Sequence, residues 1–350
     1  MNRLSQHFIE NEPQQTLLSL EQIDLFIEAL EHLIDDPEGD EQIAVSQEGL
    51  MSDFFKNKSD WFADQLEDLF KGAGGVQESI SKRLDALARS ARELDRDKTI
   101  KAKYTAIAPF FFDVEKKRYR FDLERALSDD GKWVSKALAL LDGLDDGVET
   151  NLTLLDQAPL AKGPRAFESY WSDRANAKCV SAGHVFEQHA LKEHTLFNTR
   201  FEMAKGYDAD KRGNEYTKQG TPVVLLNEKP SVDRAAKRVL EQPFELTQKD
   251  ISGYLRHCEQ LSQFSQTLHT TIKEWQKKYH PIKGPVFQSM VSIENEGIKQ
   301  MGLPAYASGI SILGQANRSL LLSITKAPLR LLTRNLKLLR VMIRFSDQFF

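Results

Sequence analysis

The sequence predicts a mainly α-helical protein, a multi-helix elongated bundle with a small β element in its middle. Apolar residues recur at three- and four-residue steps through several stretches, which is the period of one helix face. Hydrophobic residues make up 41% of the chain and charged residues 28%, with 19 glycines and 12 prolines, a globular and helix-tolerant balance. The last 25 residues carry the strongest pattern. Leu329, Leu332, Leu336, Leu339 and Ile343 share one face, and Arg330, Arg334, Lys337, Arg340 and Arg344 share the adjoining one.

In chain order, residues 16–34 place Leu17, Leu20, Ile23, Phe26, Ile27, Leu30 and Ile34 on one helical stripe. So short a helix is expected to be ordered only when docked. DDPEGDEQ at 35–42 reads as an exposed linker, open to a protease. Phe54, Phe55, Phe62, Leu66, Leu69 and Phe70 form a second apolar stripe, stopped by Gly72, Gly74 and Gly75. Residues 76–95 predict a charged amphipathic helix with Leu84, Leu87 and Leu94 inward. The aromatic segment 107–123 is compatible with a β-hairpin or a broken helix. Helix returns from Lys132 to Leu144 and is expected to end at Gly143 and Gly147.

Residues 161–230 are irregular, with a polar loop at 205–216 and a short strand around Val223 to Leu226. SVDRAAKRVLEQ starts a helix capped by Ser231, and a long helix follows from about Thr247 to His280, closed by Pro281 and Pro285. Small residues at 302–314 indicate close helix packing or a turn. Four regions result: an acidic leader with one amphipathic helix (1–48), an N-terminal helical region (49–160), an irregular α+β middle (161–230) and a C-terminal helical region with a basic tail (231–350).

The net charge of −4 conceals a partition. Residues 1–48 set Arg3 against twelve acids, a net −11, so the remaining 302 residues carry +7. Such a division fits either a solvated acidic extension or nucleic-acid contact masked by an acidic segment. Cys179 and Cys258 form no CxxC pair and read as free thiols in reducing surroundings. No run of about 18 apolar residues is long enough to span a bilayer. The N-terminus lacks a basic segment followed by an apolar one, so no export through a signal peptide is expected.

Motifs for chemistry are weak. Cys179, His184, His189 and His194 stand five apart, a step that turns successive helix side chains by about 140° and alternates faces on a strand, so they cannot converge on one metal. HVFEQH is not a zinc-protease motif, and GAGG at 72–75 lacks the Lys-Ser/Thr of a nucleotide loop. His257 and Cys258 point to different sides of a helix, and the DDP and DGLDDG clusters read as turns and solvated faces. No catalytic residue, cofactor or metal is expected. An enzyme would need a pocket gathering His184, His189 or Asp208.

The run Ile43-Ala44-Val45-Ser46-Gln47-Glu48-Gly49-Leu50 resembles the maturation sites of large tailed bacteriophages, where a prohead protease cuts after glutamate. Ser46 takes the small position two before the cut, Gln47 lies between, Glu48 precedes the cut and Gly49 follows it. EGLMSDFFKNKSDWF, SDDGKWVSKALALLDGL and the helical tail are similar in texture and order to the internal head or ejection proteins of such phages. The resemblance implies a virion structural protein, assembled in the host bacterial cytoplasm, processed after Glu48 and housed in the capsid interior. It implies as partners the prohead protease, other head proteins, further copies of the chain and packaged DNA, touched nonspecifically through phosphates by Arg330, Arg334, Lys337, Arg340 and Arg344. Removing the propeptide is expected to expose positive charge to the incoming genome. A cytosolic helical interaction or adaptor protein, its acidic and basic helices pairing without processing, is the reading from a different class.

Overall fold

The computed structural model describes residues 18–34, 75–94, 99–103, 123–159, 162, 164–189, 199–205, 222–228, 244–299 and 304–349. Helix dominates them, as the 3.6-residue periodicity predicts. In order they form α1 (Leu20–Ile34), α2 (75–93), β1 (Ile100–Ala102), α3 (Leu123–Asp156), α4 (Pro164–Tyr170) running into a π-helical turn (Trp171–Ala175), α5 (Ala182–Gln188), β2 (Thr199–Lys205), β3 (Pro222–Glu228), β4 (Phe244–Leu246), α6 (Gln248–Lys299) and α7 (Pro304–Ser346). The apolar stripe of 54–70, the aromatic segment 107–122, the helix expected at 231–242, the linker 35–42, the loop 206–216 and His194 lie outside the described residues.

α6 and α7 are the axis of the molecule. Along α6 the buried residues Ile251, Tyr254, Cys258, Leu261, Ser265, Leu268, Ile272, Trp275 and Tyr279 alternate steps of three and four, a coiled-coil-like seam. Across it, the Tyr254 hydroxyl donates to the Met342 carbonyl at 2.8 Å, and its ring packs with Phe345 and Phe349 at 5.5 and 5.6 Å. Further along, Asn335, fully buried on α7, donates from Nδ2 to the Leu261 carbonyl at 2.8 Å and to Ser265 Oγ at 2.7 Å. Low numbers of α6 therefore meet high numbers of α7, and the helices are antiparallel. These buried polar contacts inside an apolar seam fix its register, because a slip would strand the hydroxyl and the amide donors without partners.

α7 is buried on nearly every side, since α6, α3, α1, α4, α5 and β3 all pack on it. From Leu329 to Ser346 its least covered strip is the basic one. β2 and β3 form an antiparallel pair with Thr199 opposite Glu228 and Lys205 opposite Pro222. The Val224 amide donates to Ser323 Oγ on α7 at 2.9 Å, and Phe201 stacks on Trp133 of α3 at 5.4 Å. β1 pairs with β4, Ile100 opposite Leu246, so the first half of the chain is tied to the start of α6. A smaller cluster, Leu154, Phe167, Trp171, Ala175 and Leu313, fastens α4 and the π turn against α3 and α7.

Several boundaries differ from expectation. α3 does not stop at Gly143 and Gly147 but runs to Asp156. A Cβ at Gly143 would lie 2.9 Å from His189 Nε2, and one at Gly147 would lie 3.2 Å from both Leu320 Cδ2 and Val180 Cγ1. These glycines admit neighbouring elements and do not end the helix. The acids of DGLDDG accordingly sit in mid-helix and not in turns. α6 continues through Pro281 and Pro285 to Lys299; each proline removes one backbone donor and crowds the preceding turn, which weakens a helix without forbidding it. The small residues at 304–314 belong to α7, and there they do serve close packing: a Cβ on Gly309 would fall 2.7 Å from Trp171 Cγ.

Candidate functional site

The acidic leader and the basic tail, far apart in sequence, meet. α1 begins with a reciprocal cap: the Gln22 amide donates to Ser19 Oγ at 3.2 Å and the Ser19 amide donates to Gln22 Oε1 at 2.7 Å. The S-x-x-Q spacing was visible in the sequence and marks the helix start that periodicity alone left at residue 16. Ile23, Phe26, Ile27 and Leu30 are 0 to 3% exposed, as buried as any side chain of the core. α1 packs on α7, and these side chains belong to the same core cluster as Val76, Ile80 and Leu84 of α2. Its N-terminal entry is clamped by α2, with the Leu18 amide donating to Ser79 Oγ at 2.8 Å and Arg83 donating to the Leu18 carbonyl at 2.9 Å.

On the flank of that apolar stripe stand Asp24 and Glu31, seven residues and two turns apart. Asp24 pairs with Arg340, and Arg344 approaches it at 3.8 Å; Glu31 pairs with Lys337. Because Asp24 meets the later residues and Glu31 the earlier one, α1 runs antiparallel to α7. The positive end of the α1 dipole then lies beside the negative end of α7, a favourable arrangement. Glu21, exposed in the first turn, has its carboxyl held below the ordinary range by a backbone hydrogen bond and the Ser19 hydroxyl, helped by the charges of Arg344 and Arg83. All the paired groups are partly exposed, between 25 and 43%.

Of the five basic residues expected to contact phosphates, Lys337, Arg340 and Arg344 are thus engaged by acids of the leader. Arg330 and Arg334, half-buried earlier on the same strip, also have interaction partners. Ser46, Gln47, Glu48 and Gly49 lie outside the described residues.

A second charged constellation is one that sequence reasoning did not single out. Asp145 and Glu149, one turn apart on α3, both hold Lys278 of α6, Lys278 Nζ lying 3.1 Å from Asp145 Oδ2; the Tyr279 hydroxyl donates to Asp145 Oδ1. Burial disfavours the ammonium, yet the hydrogen bonds to Glu149, Tyr279 and Asp145 outweigh it and raise Lys278. Burial, with Asp145 beside it, raises the Tyr279 hydroxyl as well. The i, i+4 spacing of Asp145 and Glu149 was the available signal, but the helix was expected to end before them and DGLDDG read as turns and solvated faces. Asp142 nearby is raised by burial and by Asp146 and Asp145.

The remaining reactive side chains are dispersed. Burial pushes the Cys179 thiol up to about 11 and raises Cys258 further, so both are protonated at neutral pH and neither is a ready nucleophile. His184 is exposed and bonded to Gln188 at 2.9 Å, while His189 lies against Gly143. His257, 4% exposed, lines a cavity of about 180 Å³ with Val134, Gln260 and Leu261, and burial lowers it to about 4. Among the described residues no three His, Cys, Asp or Glu side chains are grouped to hold a metal ion, and no helix is long and apolar enough to cross a membrane. No protein-family model, curated protein or solved structure matches this chain.

Proposed function

We propose that this chain is a non-enzymatic structural protein of the head of a large tailed bacteriophage, packaged inside the capsid with the genome and processed after Glu48 by a prohead protease. The observation that carries this reading is the charge partition together with its spatial counterpart. A leader of net −11 precedes a body of +7, and the leader's Asp24 and Glu31 lie on Arg340 and Lys337 of the tail. In a precursor awaiting DNA, such pairing offsets part of the basic strip's charge while other head proteins and further copies assemble around it. Mass spectrometry of purified virions should find the protein with Gly49 at its N-terminus. Finding only chains that begin at Met1 would overturn the processing claim.

A second reading is favoured by one specific observation, the complete burial of Ile23, Phe26, Ile27 and Leu30. A segment that contributes core suits a helical interaction or adaptor protein that is never processed, its acidic and basic helices paired for good. This reading predicts unprocessed chain in the native source and a stable partner complex on size-exclusion chromatography. The combined Arg330→Glu, Arg334→Glu and Arg340→Glu substitutions would abolish that complex.

A further inference from the structure

The surface made by α2 and α7 is a receptor for an acidic amphipathic helix, and we infer that the leader remains seated there as a separate chain after the backbone is cut between α1 and α2. The inference rests on the proposed processing only for its biological setting; the geometry concerns residues 18–34 and their seat. Among the described residues three kinds of contact hold the leader, and all of them lie between residues 18–34 and their seat. The apolar face of Ile23, Phe26, Ile27 and Leu30 is shielded from water. The reciprocal Ser19–Gln22 cap keeps the helix start formed without help from the chain beyond Ile34. Ser79 and Arg83 grip the backbone of Leu18 at the end remote from the cut. The acids Asp24 and Glu31 then match the basic strip that rims the seat.

Severing the chain forfeits the effective concentration that a tether provides, but it removes none of these contacts. Cutting therefore leaves Lys337, Arg340 and Arg344 paired, in contrast to the expectation that cleavage by itself exposes positive charge.

The test uses the full-length protein with residues 43–48 replaced by the recognition sequence of a sequence-specific protease. After complete cutting, the leader fragment and the body should co-elute on size-exclusion chromatography at micromolar concentration and 150 mM salt. Separation of the two under those conditions overturns the inference. Phe26→Ala should weaken the cut complex a hundredfold or more, as expected for truncating a buried aromatic ring. Should Phe26→Ala fail to fold before cutting, the charge variant decides: Asp24→Lys should weaken retention about tenfold, and adding Arg340→Glu should recover it. An Asp24→Lys complex as tight as the parent would exclude the acidic flank from recognition. Virion mass spectrometry asks whether the cut occurs, and co-elution asks whether the severed leader stays bound, so failure of one reading is not mistaken for failure of the other.

Discussion

Gly309 and Gly253 offer the same substitution with opposite expected signs. Both lie inside long helices, where alanine is favoured over glycine by about 1 kcal/mol. At Gly309 of α7 the new Cβ would fall 2.7, 2.8 and 2.9 Å from Cγ, Cδ1 and Cδ2 of Trp171. Those atoms are the root of the indole, not a flexible tip. Trp171 is 7% exposed and stacked on Phe167 at 6.2 Å, so the ring cannot swing aside without opening the cluster that fastens α4 to α7. Overpacking of this kind costs roughly 1–3 kcal/mol and outweighs the gain in helix propensity. Gly309→Ala should therefore destabilise by up to roughly 2 kcal/mol. At Gly253 of α6 nothing lies within 4 Å of where a Cβ would stand, so Gly253→Ala should stabilise by up to about 1 kcal/mol. Urea unfolding followed by tryptophan fluorescence and circular dichroism measures both. A Gly309→Ala midpoint at or above the parent's would refute the close approach of α7 to the π turn.

Two further predictions concern the interior. His257 is held near 4 against 6.5 for the free side chain, the first cause being burial. Above pH 6.5 both folded and unfolded states are neutral there. As pH falls from 6.5 to 4 the unfolded chain takes up a proton that the fold refuses, and stability declines by about 3 kcal/mol in total. His257→Gln should lack that component of the pH profile, and identical slopes in parent and variant would rule it out. Asn335 and Ser265 should couple: each alanine substitution leaves the other's polar group short of a partner in a dry seam, so a double-mutant cycle should return about 1 kcal/mol of interaction. A cycle that closes at zero would mean that Asn335 and Ser265 are not bonded to each other across the seam.

The parts of this fold legible in the sequence are those in which one face is buried and the other wet. The stripe from Leu20 to Ile34 is α1, the charged stretch from Val76 is α2, and Val223 to Leu226 lies within β3. Legibility fails where a residue type serves two purposes. Gly143, Gly147 and Gly309 look like stops and turns, but their missing side chains admit His189, Leu320 and Trp171, a use that only three-dimensional neighbours disclose. β1 and β4 span three residues each, too few for a period of two to register, and their pairing joins positions nearly 150 apart. The charge partition was plain from composition. Its pairing was not, because selecting Arg340 over Arg330 as the partner of Asp24 depends on where α2 clamps Leu18.

That clamp bears on what the charges do. The ion pairs of Asp24 and Glu31 are partly exposed, and pairs of that kind contribute about 0–1 kcal/mol each. Each of the four apolar side chains of α1, shielded almost completely, contributes roughly 1.5–3 kcal/mol. Apolar burial therefore outweighs the charges several-fold in holding the leader. Pairing any of the tail's cations with the leader's acids is favourable in either helix direction, so charge does not choose the direction either. Direction is set by the Leu18 contacts to Ser79 and Arg83 and by the opposed dipoles of α1 and α7. What remains for the charges is steering: a basic strip beside an apolar seat attracts an acidic helix and turns away a basic one before any contact forms. Asp24→Lys should accordingly slow re-docking of a severed leader more than it hastens release. Stopped-flow mixing of a labelled leader peptide with the body at two salt concentrations would show it as a weaker salt dependence of the association rate.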